Sequence, residues 1–178
     1  METLADYLRH DLDILSIGLN PSSNAVKAGF YFATRQNRFW PALNASPLVE
    51  KSLEPGAESM QWLFEHGMGF TDVVKRPSRG VGQLRADDYR RWSPALREKI
   101  ETFTPRIAWF HGKIAYEKFI KYAYGRKEKI EWGRQSCRLG KTLCFVSPNP
   151  SPANATYSLQ DIIGWYGYLA DIRLKMGY

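Results

Sequence analysis

Two cysteines, three histidines and no long apolar run are what this chain has least of, and each shortage excludes something. No apolar stretch approaches the length of a membrane span, and the acidic start Met1-Glu2-Thr3-Leu4-Ala5-Asp6 is unlike a signal peptide. Cys137 and Cys144 lack metal-ligand spacing, and Cys144 sits inside the apolar run Leu143-Cys144-Phe145-Val146 as a small core residue. No disulfide framework is implied, and a reduced, intracellular setting (cytoplasm or nucleoid) is expected. His10 and His66 are expected at the surface, and His111, in an apolar strand, is expected to be structural. The three histidines and two cysteines do not cluster, so no metal site is expected. A Gly-rich phosphate fingerprint and a G-x-S-x-G elbow are both missing, which weakens nucleotide-cofactor and serine-hydrolase readings. Repeats, low-complexity tracts and linkers are missing too, so residues 1–178 read as one domain.

What is present is an ordinary globular composition with a basic excess. Hydrophobic residues make up 44% and charged residues 24%, enough apolar mass for a substantial core. Twenty-five Lys and Arg against 18 Asp and Glu give a net charge of +7, and aromatics reach 14%. That balance fits either a polyanionic partner or a solvated basic surface. The basic residues cluster as Lys121, Arg126, Lys127 and Lys129, and as Lys75, Arg76, Arg79 and Arg85. Tyr122 and Tyr124 beside the first cluster suit base stacking or internal packing.

Strand and helix patterns alternate along the chain. A short helix over about 2–10 precedes a strand at 13–18 and a long loop through 36. A helix starts at Asn37-Arg38-Phe39-Trp40-Pro41, with Pro41 in its first turn. Another covers 56–66 and stops at Gly67, followed by a short strand at 69–71 and a basic loop at 74–84. Tyr89, Trp92, Leu96, Ile100 and Phe103 mark an amphipathic helix that Pro94 either kinks or splits. A strand at 106–111, a helix at 113–123 and a strand at 142–147 follow. The last helix opens on a Ser158/Asp161 capping box and buries Leu159, Ile162, Ile163, Tyr166 and Leu169. This alternation predicts a three-layer α/β/α domain around a short, mainly parallel sheet.

Two apolar runs end in the same tripeptide. Ile14-Leu15-Ser16-Ile17 leads to Gly18-Leu19-Asn20-Pro21-Ser22, and Leu143-Cys144-Phe145-Val146 leads to Ser147-Pro148-Asn149-Pro150-Ser151. Proline cannot continue a ladder, so each strand must stop at a polar turn. Parallel α/β sheets build their sites in such loops, beyond the carboxyl ends of the strands. Two loops of one design are therefore expected to converge on one ligand.

With Gly29-Phe30-Tyr31-Phe32 and Asn37-Arg38-Phe39-Trp40, the first loop resembles the mismatch-specific uracil/thymine DNA glycosylases. Gly69-Phe70-Thr71-Asp72-Val73-Val74-Lys75-Arg76-Pro77, Gly112-Lys113-Ile114-Ala115-Tyr116-Glu117, Glu131-Trp132-Gly133-Arg134-Gln135 and the second loop continue the likeness in order. It covers nearly the whole chain, and Asn20 and Phe32 stand twelve residues apart as the pattern requires. The resemblance implies a uracil-DNA-glycosylase-like α/β/α fold. It also implies cofactor-free hydrolysis of the N-glycosidic bond of a flipped base in double-stranded DNA bearing uracil or a mismatch. The enzyme is expected to be a monomer with no membrane attachment and to leave an abasic site.

Such a site needs a water nucleophile, a surface to stack the base, donors for the departing base anion and a device that opens the duplex. The resemblance casts Asn20 as the residue that positions water through its amide oxygen; an Asx-type turn is its plain structural alternative. Asp72 stands where the family varies; it either polarises the water or stabilises positive charge on the sugar, or it is an exposed loop acid or a partner for Lys75 or Arg76. Gly18, Leu19, Ala25, Phe32 and Asn149 form the implied base site. Phe32 stacks on the base, with its N–H near a base carbonyl, and small Ala25 leaves room for a thymine methyl. Asn149 either holds its own loop or contacts the base edge or the strand opposite. Ser22, Lys113, Ser151, Pro152, Ala153 and Asn154 are implied DNA contacts, and Lys113 reads as a phosphate contact rather than a Schiff-base lysine.

The chain departs from the pattern after the second loop. One branch of the family carries Gly-Leu-Ser-Arg there, with leucine and arginine wedged into the gap, whereas this chain has Pro152-Ala153-Asn154-Ala155-Thr156. Alanine is a poor plug, which points to weaker mismatch specificity. A catalytically silent nucleic-acid-binding domain and a glycosylase shifted to hypoxanthine or xanthine are the alternatives.

Overall fold

The computed structural model describes residues 1–177. Its strands are β1 (Ile14–Gly18), β2 (Met68–Asp72), β3 (Ile107–His111), β4 (Gly133–Leu139) and β5 (Thr142–Ser147). They form one sheet in the order β2-β1-β3-β5-β4, parallel throughout except for β4, which pairs antiparallel with β5 at the edge. The helices are α1 (Ser23–Ala28), α2 (Phe39–Asn44), α3 (Ala57–Glu65), α4 (Ala86–Phe103), α5 (Lys113–Tyr124) and α6 (Leu159–Lys175).

Side-chain alternation sorts each strand between two cores. Ile14, Phe70, Trp109 and Phe145 face α2, α3 and α6, packing with Phe39, Leu43, Met60 and Tyr166. Leu15, Ile17, Phe110 and Val146 face α4 and α5, packing with Leu96, Ile100, Phe119 and Ile120. The result is the expected three-layer sandwich. Among the described residues no helix is long and apolar enough to cross a membrane.

The first face changes character at the carboxyl ends of the strands. The alternation that buries Phe70 and Trp109 there delivers Asp72, Gly18, His111 and Ser147 instead of hydrocarbon. Gly18 pairs with Asp72 and His111 with Ser147, so these residues form one layer across four strands. β1 has β2 on one side and β3 on the other, so successive crossovers diverge at the β1/β3 crevice, the usual ligand position in open α/β sheets.

Several local expectations are corrected. Residues 2–10 form no helix; Tyr7 instead makes an antiparallel bridge to Phe70, with Tyr7 N–H to Phe70 O at 2.9 Å and the reverse bond at 3.1 Å. β2 is the outer strand, and this segment satisfies its otherwise open backbone groups. Gly69 makes the approach possible, since a Cβ there would lie 2.4 Å from the Tyr7 carbonyl oxygen. The loop expected to run through 36 contains α1, capped by Ser22. β4 was not expected, because its inward residues are Gly133, Gln135 and Cys137 before the single apolar Leu139. α4 runs unbroken through Pro94, so the split is excluded. Leu159, expected in the buried stripe of α6, is exposed at its first turn, while Ile162, Tyr166 and Leu169 are buried as expected.

Candidate active site

A pocket of about 420 Å³ opens at the carboxyl ends of β1, β2 and β3. Gly18, Leu19, Asn20, Ser22, Ala25, Phe32, Asp72, Asn149, Ser151, Pro152 and Ala153 all line it. The two Asn-Pro-Ser loops, far apart in sequence, thus meet on one cavity. Lys113 and Asn154 are outside the lining: the Lys113 ammonium lies 4.7 Å from the Trp132 ring centroid, and Asn154 works within its own loop.

Asn20 follows directly from the end of β1. Its Nδ2 donates to the Arg76 carbonyl at 3.0 Å and to Ser78 Oγ at 2.8 Å. Since a backbone carbonyl can only accept, the amide nitrogen must face that side. Ser78 Oγ in turn donates to Gly80 O, which holds the loop. No described residue donates to Asn20 Oδ1, so the oxygen is left as an acceptor. The basic loop thereby orients Asn20, a role its sequence did not signal.

Asp72 closes β2; it is buried and not paired with Arg76, but the expected pairing with Lys75 is met as a long ion pair. It is 4% exposed, and Arg76 is engaged by Asp88 at 2.7 Å. Its Oδ1 leans over Gly18, where a Cβ would come within 2.6 Å, so a larger residue there would push the carboxylate aside. Its Oδ2 has no hydrogen bond and lies 3.7 Å from Lys75 Nζ. Lys75 is more tightly held by Asp6, at 2.7 Å. Burial pushes the Asp72 carboxyl up to about 7, with Lys75 pulling the other way. The group therefore changes charge close to neutral pH.

Phe32 has φ 59°, a left-handed conformation that a non-glycine residue rarely takes. Its ring lies half-buried, stacked on Phe39 at 3.9 Å and 11°. One face is backed by the core, and the ring lines the pocket. Its carbonyl accepts from Trp40 Nε1 at 3.2 Å, while no described residue accepts its N–H. Ala25 is buried in α1, whose N-terminus Ser22 caps by accepting from Ala25 N–H at 3.0 Å.

Asn149 makes the opposite choice to Asn20. Its Oδ1 accepts from Ser151 N–H at 2.9 Å, closing an Asx turn, and its Nδ2 has no partner among the described residues. Of the alternatives for Asn149, loop-holding is met in the structure, and the amide still borders the pocket. Asn154 braces the turn by donating to the Asn149 carbonyl at 3.0 Å. Arg38 organises the whole loop from α2, donating to the carbonyls of Pro150, Ser151, Asn154 and Tyr157. The sequence contained Arg38 only as one letter of a block; four carbonyl acceptors on a distant loop cannot be read from it. Pro152 and Ala153 are exposed at the tip of that loop, and exposed Val81 lies on the facing basic segment of the lining.

The remaining candidates resolve by packing. His111 is buried, as expected of a structural residue, but it also lines the pocket. His10 and His66 are exposed. Tyr122 stacks on Tyr89 and Tyr124 packs edge-on against Phe119, so both serve the fold. Of the second basic cluster, Lys75 and Arg76 are consumed by internal pairs, and Arg79 borders the pocket. Among the described residues no group of three His, Cys, Asp or Glu side chains gathers in metal-binding fashion.

The model of the uracil DNA glycosylase superfamily matches residues 5–164. Among solved structures, the chain is similar to the solution NMR structure of a "putative uracil DNA glycosylase" from Methanosarcina acetivorans, with a TM-score of 0.63 and 19% identity. That likeness covers 96% of this chain and 97% of the other, and at such identity it speaks for the fold.

Proposed function

This chain belongs to the uracil DNA glycosylase superfamily, and from that premise we propose that it is a monofunctional glycosylase that hydrolyses the N-glycosidic bond of uracil flipped out of DNA. The observation that carries this reading is the fixed amide of Asn20: its nitrogen is tied to the loop, its oxygen has no donor among the described residues, and the residue lines the shared pocket. An acceptor held rigidly in that place suits a water molecule better than it suits a turn.

The chemistry follows from the lining. Phe32, backed by Phe39, offers a flat surface for the extruded base, and its unbonded N–H suits a base carbonyl. The C1′–N bond breaks with its electron pair leaving on the base, and the sugar passes through an oxocarbenium-like state. Water held by Asn20 Oδ1 adds at C1′. Its proton goes to ionised Asp72 or to solvent, and the base anion is later protonated by water. Asp72 also stabilises positive charge on the sugar, as carboxylates do in other glycosidic cleavages. Lys113, engaged with Trp132 outside the pocket, fits a route without a Schiff base.

Substrate range follows from Ala25 and the rim. A small residue beside the base leaves space for a thymine methyl, so excision from G·T pairs is expected to be slower than from G·U but measurable. With Pro152-Ala153 in place of a leucine wedge, uracil opposite adenine or in single strands is also expected to be processed. The reading implies an intracellular monomer acting on DNA.

The test is single-turnover cleavage of end-labelled oligonucleotides carrying one uracil opposite guanine, opposite adenine and unpaired. Strand breakage that requires alkali and disappears in Asn20→Ala is the expected result. Salt-sensitive binding with no release of any base from such a panel, hypoxanthine included, would instead mark a silent binding domain.

A further inference from the structure

The bridge between Tyr7 and Phe70 carries Asp6 to the residues at the end of β2, where its carboxylate becomes the centre of a charged cluster. Asp6 Oδ1 accepts from Lys75 Nζ at 2.7 Å and from Thr71 Oγ1 at 2.8 Å. Asp6 Oδ2 accepts from Lys99 Nζ, on α4, at 2.6 Å. Lys75 also donates to the Tyr31 hydroxyl at 3.1 Å, which in turn donates to Ala5 O at 3.2 Å. Thr3 Oγ1 donates to the Lys75 carbonyl and ties the N-terminal segment to the same loop again. The Lys75 ammonium is thus fixed by two partners, with its charge 3.7 Å from Asp72 Oδ2. That is close enough for a strong charge interaction and too far for a hydrogen bond.

A proton acceptor at Asp72 depends on both halves of that spacing. A buried carboxylate with no cation nearby stays protonated, whereas one bonded directly by an ammonium keeps its charge but accepts protons weakly. Lys75 and Lys99 set two ammoniums against the one carboxylate of Asp6, so the cluster carries one net positive charge until Asp72 ionises and none afterwards. Burial raises the Asp6 carboxyl, but Lys75 and Lys99 outweigh it and hold the group below its ordinary value. At Asp72 burial dominates; Lys75 and Lys99 pull down, Asp6 pushes up, and the carboxyl is left at about 7. The other titratable groups on this side stay neutral or are paired. Burial, with Asp72 and Asp6 adding to it, raises the Tyr31 phenol far above its ordinary value. His111, whose Nε2 lies 2.8 Å from Ser16 Oγ, is kept neutral by burial, which pushes it down to about 3. Arg76 is taken by Asp88.

Resting on the glycosylase reading and its role for Asp72, we propose that Asp6 and Lys75 are positioning residues of the active site. Asp6 anchors the Lys75 ammonium just beyond hydrogen-bond reach of Asp72, where it sustains the negative charge of the carboxylate and leaves Oδ2 unbonded. Neither residue is among those that line the pocket, so both act through Asp72.

The pH dependence of single-turnover cleavage, measured on a G·U duplex, separates this role from a structural one. Lys75→Met removes the cation and is expected to raise the midpoint of the rate profile from about 7 by about one pH unit. Asp6→Asn keeps an acceptor at Oδ1 but removes the competing charge, which frees Lys75 to close on Asp72. Its midpoint is expected to fall by about one pH unit, and its plateau by about threefold. Lys99→Met, at a half-buried position on α4, is expected to raise the midpoint by less than Lys75→Met, and it carries the upward arm if Lys75→Met does not fold. Titration of the Asp72 carboxyl by ¹³C NMR in the DNA-free proteins is expected to give the same order. A purely structural lesion lowers the rate at every pH without displacing the midpoint. Midpoints that match wild type, or that all move in one direction, overturn the proposal and leave the glycosylase reading standing, as does a wild-type rate that cleaves without a rise in this range. Wild-type protein that releases no uracil from any context overturns that reading, and the proposal with it.

Discussion

The two Asn-Pro-Ser loops share a tripeptide and a position after a buried strand, yet they leave opposite ends of an amide unbonded beside one pocket. At Asn20 the nitrogen is consumed by Arg76 O and Ser78 Oγ and the oxygen is free. At Asn149 the oxygen is consumed by Ser151 N–H and the nitrogen is free. The source of the difference is outside the motif. The first loop lies against a segment that offers acceptors, and the second folds on itself under the clamp of Arg38. One loop therefore leaves an acceptor unbonded and the other a donor. A motif specifies the turn, and its neighbours specify the chemistry.

The sharpest way to break this comparison is to remove each amide. Asn20→Ala is expected to lower the single-turnover rate by about 10³-fold with DNA affinity unchanged, since the lost contact acts on the nucleophile. Asn149→Ala is expected to cost about tenfold, mostly in binding, because one neutral donor is lost. Equal losses in the two variants would erase the asymmetry.

Asp72 tests the first loop's partner. Asp72→Asn is expected to slow cleavage by about 10²-fold. Because burial holds the folded carboxyl up to about 7, the wild-type rate is expected to rise through that pH and then level. The variant's profile is expected to be flat there. Stability moves in the other direction. Between its usual value of 3.8 and about 7 the folded protein keeps a proton that the unfolded chain has lost. The stabilisation is complete below the lower value and is lost as pH rises through the upper one. Asp72→Asn is thus expected to remove that slope in urea-unfolding measurements. A slope equal to wild type would show that Asp72 does not titrate in this window.

How much of this was legible in the sequence follows from how local each feature is. β1 and β5 were readable because both their faces are apolar, and the Ser158/Asp161 cap because it spans a single turn. β4 was not readable, since its inward side is mostly Gly133, Gln135 and Cys137. The N-terminal segment was misread because it is ordered by the edge of β2, 60-odd residues away, rather than by its own periodicity. The same division runs through the site. The loops and Phe32 were visible as motifs, whereas the Asn20 tether, the Ser16–His111 pair and the Arg38 clamp each join segments that only the fold brings together.

Arg38 is the test of the second loop's independence. Its half-buried guanidinium donates to four carbonyls that no other described side chain serves. Arg38→Ala is expected to cost about 2–3 kcal/mol of folding stability by urea unfolding, since charged hydrogen bonds to a partly buried loop are lost. Activity is expected to fall about tenfold, with the loss confined to terms that depend on Asn149. If Arg38→Ala and Asn149→Ala are additive in the double variant, the clamp does not act through that amide.

The smallest change concerns the tip of the second loop. Ala153 is exposed and lines the pocket, so a larger side chain there has solvent to occupy and nothing to displace from the core. Ala153→Leu is expected to leave stability within about 0.5 kcal/mol. In duplex DNA the added leucine can fill the gap left by the flipped base, and apolar wedges of this kind hold a kinked step open. The expected result is a two- to fivefold tighter complex with duplex containing G·U, about 0.4–1 kcal/mol, and no change on single strands. A gain on single strands as well would mean that the leucine touches the base pocket rather than the gap. The two loops would then differ in which end of an amide they offer, but not in which part of the DNA they meet.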